Sequence, residues 1–160
     1  MAFKTADLYD RYGENLQICE PLFRDFGGRR DFSGQIATIK CFEDNSKVRE
    51  AVFEPGEGRV LVVDAGGSLR CAMLGDMLAA KAVENGWNGI IMYGLVRDSA
   101  ELAGMPLGVK ALGTHPRKSE KKNVGERERE VNFAGVRFVP GDYVYADEDG
   151  IVCSQSALEL

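Results

Sequence analysis

Histidine is almost missing from this chain: among 160 residues there is one, His115. A Ser-His-Asp triad, a Cys-His pair or a His-rich zinc site would each depend on that residue, which stands beside Pro116 in a polar stretch. His115 therefore reads as a solvated loop residue. Any metal would then be held by oxygen, which suits Mg²⁺ or Mn²⁺. Cysteine is sparse too, and Cys19, Cys41, Cys71 and Cys153 include no C-x-x-C pair. They read as small buried hydrophobes in a reducing cytoplasm. No stretch approaches the roughly 18 apolar residues of a spanning helix, and Met1-Ala2-Phe3-Lys4 lacks the apolar run of a signal peptide. Gly66-Gly67 and Gly75 do not make G-x-G-x-x-G, and no lysine stands at Walker spacing, so the common nucleotide motifs are missing. Nor is there a surplus of positive charge. The formal net charge of -5 argues against a broad basic surface for nucleic acid, so a cationic pocket for an acid would be local.

The residues that are present describe a protein that folds. Hydrophobic residues make up 44% and charged ones 28%, without long like-charge blocks, and the length suits a single domain over 1–160. Thr5 is a natural N-cap for a short helix through Leu8 and Tyr12, with strand character following at Gln17-Ile18-Cys19. Gly34 to Phe42 is a β-branched alternating run, and Glu43-Asp44-Asn45 supplies its stop and a cap for a helix over Val48 to Phe53. Arg59 to Asp64 is a nearly continuous aliphatic run, the pattern of a strand buried on both faces. Leu74, Leu78, Ala82 and Val83 recur at helical spacing up to Gly86, and Gly89 to Tyr93 is a second buried strand, so Arg59 to Tyr93 predicts a parallel strand-helix-strand unit. After Pro106 the runs Leu107–Leu112, Val131–Phe133, Val136–Val139, Tyr143–Ala146 and Ile151–Ser154 predict a half that is mostly β. Thr114 to Arg129 is polar and reads as an exposed excursion. Trp87, Tyr93, Tyr143 and Tyr145 read as core or subunit-contact aromatics.

Chemistry-bearing residues gather around the strand-helix-strand unit. Gly75-Asp76-Met77-Leu78 opens a helix after a buried strand and a glycine turn, where unpaired N–H groups and the helix dipole favour a bound carboxylate. Arg97-Asp98 closely follows the next strand, and in a parallel sheet successive strand ends share one edge, so Asp76 and Arg97-Asp98 can converge there. Glu101 shares the face of Asp98 if the chain makes a helical turn, within reach of waters on an ion held by Asp98. Such a group can chelate a 2-oxo acid. The ordinary local alternative stands beside it: Asp76 as a first-turn residue, Arg97 and Glu101 as an (i, i+4) ion pair, Asp98 as a cap. Spacing alone does not decide between them.

A set of short runs bears on that choice: Cys19-Glu20-Pro21-Leu22-Phe23, Phe26-Gly27-Gly28, Phe32-Ser33-Gly34-Gln35-Ile36, Val62-Val63-Asp64, Gly86-Trp87-Asn88-Gly89, Tyr93-Gly94-Leu95-Val96-Arg97-Asp98, Val131-Asn132-Phe133 and Pro140-Gly141-Asp142. With these the chain resembles the RraA-like family, which includes 4-hydroxy-4-methyl-2-oxoglutarate aldolases and regulators of ribonuclease E activity. The resemblance implies an α/β fold, a single swivelling β/β/α domain with a parallel strand-helix-strand centre and a β-rich C-terminal half, in a homotrimer with clefts between subunits. The aldolase branch carries Arg-Asp-x-x-Glu/Asp 21 residues after an aspartate, and Asp76, Arg97, Asp98 and Glu101 fill those positions. The regulator branch can lack the metal-binding aspartate, which this chain keeps.

The resemblance further implies that Asp98 is the direct Mg²⁺ or Mn²⁺ ligand, with Glu101 acting through water. The amides of Gly75, Asp76, Met77 and Leu78 would hold the substrate carboxylate, and Arg97 would stabilise the enolate oxygen. Asp76, acting through a water on the metal, would take the proton of the 4-hydroxyl. The implied activity is cleavage of 4-hydroxy-4-methyl-2-oxoglutarate to two pyruvates, with oxaloacetate decarboxylation through the same enolate. Two other readings remain open: a non-catalytic regulator that binds and inhibits ribonuclease E, and a metabolite-binding module without turnover.

Overall fold

Apolar side chains at successive positions of the central strands point to opposite faces, and here both faces are covered. In the strand Val60–Asp64 every residue is buried. Leu61 and Val63 join the cluster beneath the helices, whereas Val60 and Val62 join a second cluster with Phe133, Phe138, Val144 and Ile151. The strand Gly89–Val96 divides likewise, with Ile90 and Met92 on the first side and Ile91 on the second. The result is three layers, helices on sheet on sheet, which bears out the β/β/α expectation.

The computed structural model describes residues 2–160. In chain order the elements are α1 (Thr5–Tyr12), a 3₁₀ turn (Gly13–Asn15), β1 (Gln17–Ile18), β2 (Arg24–Asp25), β3 (Phe32–Lys40), α2 (Ser46–Val52), β4 (Val60–Asp64), α3 (Asp76–Glu84), β5 (Gly89–Val96) and α4 (Ser99–Leu102). They are followed by β6 (Gly108–Thr114), β7 (Glu126–Arg127), β8 (Val131–Phe133), β9 (Val136–Phe138), β10 (Tyr143–Asp147) and β11 (Gly150–Ser154). Nine strands connect in the order β1-β11-β10-β3-β4-β5-β6-β2, with β7 paired to β3 off that path and β8-β9 forming a separate hairpin. The nine-residue β3 has three partners: Phe32–Gln35 run antiparallel to β10, Ile36–Lys40 run parallel to β4, and Ile39 and Lys40 also pair antiparallel with β7. Strands β4, β5 and β6 continue the parallel set. At the joint the Phe32 ring lies against Gly89 and Gly108, where a methyl on either glycine would overlap it.

Three expectations change. Thr5 is the first helical residue and not the cap: Lys4 occupies that position without a side-chain bond. The Thr5 amide and hydroxyl instead donate to the two carboxylate oxygens of Asp147, at 2.8 and 2.6 Å. Strand β3 begins at Phe32, two residues before the expected start, because pairing with β10 extends it backward. The polar excursion is also more than a solvated loop. Asp44 accepts the amides of Lys122 at 2.8 Å and Val124 at 3.0 Å, along with the amide and hydroxyl of Ser46. Arg127 makes a two-pronged pair with Glu54.

Burial by itself pushes the Asp44 carboxyl up, but the bonds from Ser46, Val124 and Lys122 outweigh it and bring the pKa down to about 2. Because the folded value lies below the unfolded value of about 3.9, this carboxylate stabilises the fold above about pH 4 and loses that contribution as pH falls toward 2. Asp44→Ala is expected to cost roughly 2–3 kcal/mol at neutral pH. In thermal melts across pH, the gap between wild type and variant should close below pH 4. A gap that stays constant would show that the charge is not what holds the excursion.

Candidate functional site

The segment between β4 and α3 brings the site together. Met73 donates its amide to the Leu95 carbonyl at 2.8 Å, and Arg97 donates its amide to the Leu74 carbonyl at 2.9 Å. Ala72 bridges to Leu95 on one side and Lys118 on the other, so residues 72–74 run as an extra strand beside the end of β5. Gly75 is thereby set against Arg97 and Asp98. A methyl on Gly75 would lie 2.8 Å from Asp98 Oδ2 and 3.3 Å from Arg97 Nε.

Asp98 is the hinge of the arrangement. Its backbone is left-handed, φ +59° and ψ +44°, which is costly for a residue with a side chain. It stands at the N-cap of α4 but makes no side-chain cap there. Instead its Oδ2 accepts the Asp76 amide, at the start of α3, at 2.9 Å. That amide holds the Asp98 carboxyl below its usual range, aided by the Asp76 side chain and the Arg97 charge and opposed by partial burial.

The site thus joins Gly75, Asp76, Arg97 and Asp98 as expected. One detail differs. The Asp76 amide is already taken by Asp98, so the N–H groups left free at the head of α3 are those of Gly75, Met77 and Leu78. Leu78 packs into the core and the Met77 side chain is 81% exposed. Glu101 is exposed on α4. Among the described residues no three Asp, Glu, His or Cys side chains gather in metal-binding range, so Glu101 adds no direct donor to the two aspartates. A hard oxygen donor set this small fits a cation that keeps most of its shell as water, the habit of Mg²⁺.

Of the ordinary local roles, Asp76 does stand in the first turn of α3, but the other two are not formed. Among the described residues Arg97 forms no ion pair, with Glu101 or any other acid, and its guanidinium makes one hydrogen bond, from Nη1 to the Pro116 carbonyl at 3.4 Å. The remaining donors are free. Sequence reasoning missed the 115–118 turn as a wall of the site, because its contacts to residues 72 and 96 are long-range. His115 is half-buried there, with its Nδ1 accepting the Arg117 amide at 3.0 Å. The thiols take no part: burial pushes Cys19 and Cys41 up to about 12.

Fold and site together define an α/β protein with an oxygen-rich, arginine-bearing cluster at the carboxyl edge of its parallel strands. Residues 5–153 match the RraA-like family, described as Aldolase/RraA, and the chain belongs to that family. A protein of Alkalilimnicola ehrlichii named "Putative 4-hydroxy-4-methyl-2-oxoglutarate aldolase" is 60% identical over 158 residues, covering 99% of this chain and 98% of its own. A Laribacter hongkongensis protein of the same name is also 60% identical, covering 99% of each. Among solved structures, one described as an S-adenosylmethionine:2-dimethylmenaquinone methyltransferase from Geobacillus kaustophilus superposes with TM-score 0.96 at 52% identity, covering 98% of this chain and 97% of that one. The RNA-processing inhibitor RraA from Thermus thermophilis superposes with TM-score 0.95 at 43% identity, covering 99% and 96%.

Gly75 has an ordinary extended backbone, φ -130° and ψ -171°, so alanine fits its conformation but not its surroundings. Gly75→Ala is expected to fold normally while displacing the Asp98 carboxylate. Hydrogen exchange at the Asp76 amide should then rise by about tenfold or more, a loss of roughly 1.4 kcal/mol of protection. Unchanged exchange would mean that the Asp98 bond is not what shields this amide.

Proposed function

We propose that this protein is a divalent-metal-dependent lyase that cleaves 4-hydroxy-4-methyl-2-oxoglutarate into two pyruvates and decarboxylates oxaloacetate through the same pyruvate enolate. The observation that carries this reading is that Arg97 and Asp98 forgo their local partners and converge on the head of α3. Fold similarity alone would not reach so far, since related folds serve unrelated reactions. The names of the relatives at 60% identity point the same way.

In the proposed mechanism the free amides of Gly75, Met77 and Leu78 hold the carboxylate next to the keto group. Asp76, through a water, accepts the proton of the C4 hydroxyl. The C3–C4 bond then breaks, its electron pair passes into the enolate of the first pyruvate, and C4 becomes the ketone of the second. The Arg97 guanidinium faces the negative charge that grows on the enolate oxygen, where a preorganised cation counts most. Protonation at C3 completes the turnover. Asp98 would hold Mg²⁺ or Mn²⁺, with Glu101 hydrogen-bonding waters around it, and a bound cation supplies Lewis-acid polarisation of the keto and carboxylate oxygens. The reading includes a homotrimer with its cleft between subunits, in which the exposed Met77 beside the seat is the apolar side chain a neighbouring subunit would cover.

Pyruvate release from either substrate is expected to require Mg²⁺ or Mn²⁺, to stop on chelation, and to fall by about 10²-fold or more in Arg97→Ala and in Asp98→Ala. Wild-type turnover in both variants would sink the assignment. The second reading, a regulator of ribonuclease E, is favoured by the 43% identity to the Thermus inhibitor. It predicts ribonuclease inhibition that survives Asp98→Ala, in a protein that makes no pyruvate with any metal.

A further inference from the structure

The one histidine lies closer to the site than its polar neighbourhood suggests. Its amide donates to the Val96 carbonyl at 2.9 Å, extending the β5–β6 pairing to the residue before Arg97. Two residues on, the Arg117 carbonyl accepts the Ala72 amide at 2.7 Å. Farther along, the buried Ser119 accepts the Asn45 amide on its hydroxyl at 3.2 Å. Between these anchors the chain turns, and the turn is closed from within by the His115 Nδ1, which accepts the Arg117 amide at 3.0 Å. Residue 116 is a proline, whose ring fixes φ, and its neighbours 115 and 117 are both held by hydrogen bonds; it is the Pro116 carbonyl that receives the Arg97 Nη1.

We infer that His115 is a positioning residue for Arg97: its imidazole closes the 115–117 turn, which aims the Pro116 carbonyl at the Arg97 guanidinium. It touches neither the seat nor the two aspartates through any hydrogen bond among the described residues. The bond it makes has the shape of an Asx-turn, in which a side-chain acceptor takes the amide two residues on. Asparagine places an oxygen where the Nδ1 stands and can make the same closure, whereas alanine cannot. An arginine with one long hydrogen bond and no ion pair has few other restraints, so loss of the turn leaves its guanidinium sampling several positions. A displacement of about 1 Å at a group that acts on the transition state can cost up to 10²-fold in rate.

The inference rests on the proposed role of Arg97, and its test separates the two. In ¹⁵N-labelled protein the Arg97 Nε–H signal, identified by its loss in Arg97→Lys, should shift or broaden in His115→Ala and stay in place in His115→Asn. This readout needs no substrate and no metal. An Arg97 signal unmoved by His115→Ala would overturn the positioning role, whatever the activity of the protein. In the pyruvate assay His115→Ala should lower kcat by about tenfold with KM changed by less than about threefold, and His115→Asn should recover to within about threefold of wild type. The double variant Arg97→Ala/His115→Ala should be no slower than Arg97→Ala alone, because the second change has nothing left to position. Additive losses would show that His115 acts apart from Arg97. A protein that makes no pyruvate would remove the lyase reading, and the Nε–H signal would still decide the inference.

Discussion

The bond from the Asp76 amide to Asp98 Oδ2 holds the site together, and it exists only because Asp98 accepts a left-handed backbone. That conformation costs on the order of 1–2 kcal/mol for a residue with a β-carbon. A charged acceptor bonded to a helix-end amide returns about 1.5–3 kcal/mol, so the strain and the bond roughly offset each other. What remains from the exchange is geometry. The turn after β5 folds back over the start of α3, Gly75 lies where a side chain would collide, and Arg97 comes with it. Without the extra strand at residues 72–74, pinned to Leu95 on one side and bridged to Lys118 on the other, neither end of that bond would be in place.

Much of the fold could be read in the sequence, for identifiable reasons. The aliphatic runs of β4 and β5 show burial on both faces, and the strand-helix-strand unit between Val60 and Val96 falls where period and glycine breaks put it. The errors share one cause. Thr5 looked like a cap because its true partner, Asp147, is 142 positions away. The Lys122 amide looked solvated because Asp44 lies 78 positions back. Local patterning records helix and strand periods, whereas a carboxylate that gathers distant amides leaves no periodic trace.

The site divides along the same line. Asp76, Arg97, Asp98 and Glu101 could be picked out from their places at the ends of a helix and a strand, but on pattern alone their ordinary local roles are the stronger reading. Three-dimensional placement shows which of the local contacts form. An (i, i+4) pair between Arg97 and Glu101 is permitted by sequence and not formed, and Asp98 occupies a cap position without capping. The left-handed Asp98 was not legible at all, since aspartate is compatible with many turns. Nor was the part played by the 115–118 turn, whose composition is that of an ordinary polar loop.

Relatives of this chain carry the names of an aldolase, a methyltransferase and an inhibitor of RNA processing, at identities from 43 to 60% and with backbones that superpose closely. A shared backbone therefore cannot choose among them, whereas the uses of individual side chains can. A surface that acts only by covering another protein gains from exposed side chains and has no need of a strained backbone. Here the strain falls on a carboxylate, a glycine leaves room beside it, and among the described residues the Arg97 guanidinium has no acid partner. An unpaired arginine beside two aspartates is electrostatically incomplete until something anionic arrives, and the free amides at the head of α3 ask for the same charge. Both demands are met at once by a small oxo acid with one carboxylate for the helix and one oxygen for the arginine, which is why the chemistry of the site favours the lyase over the other names.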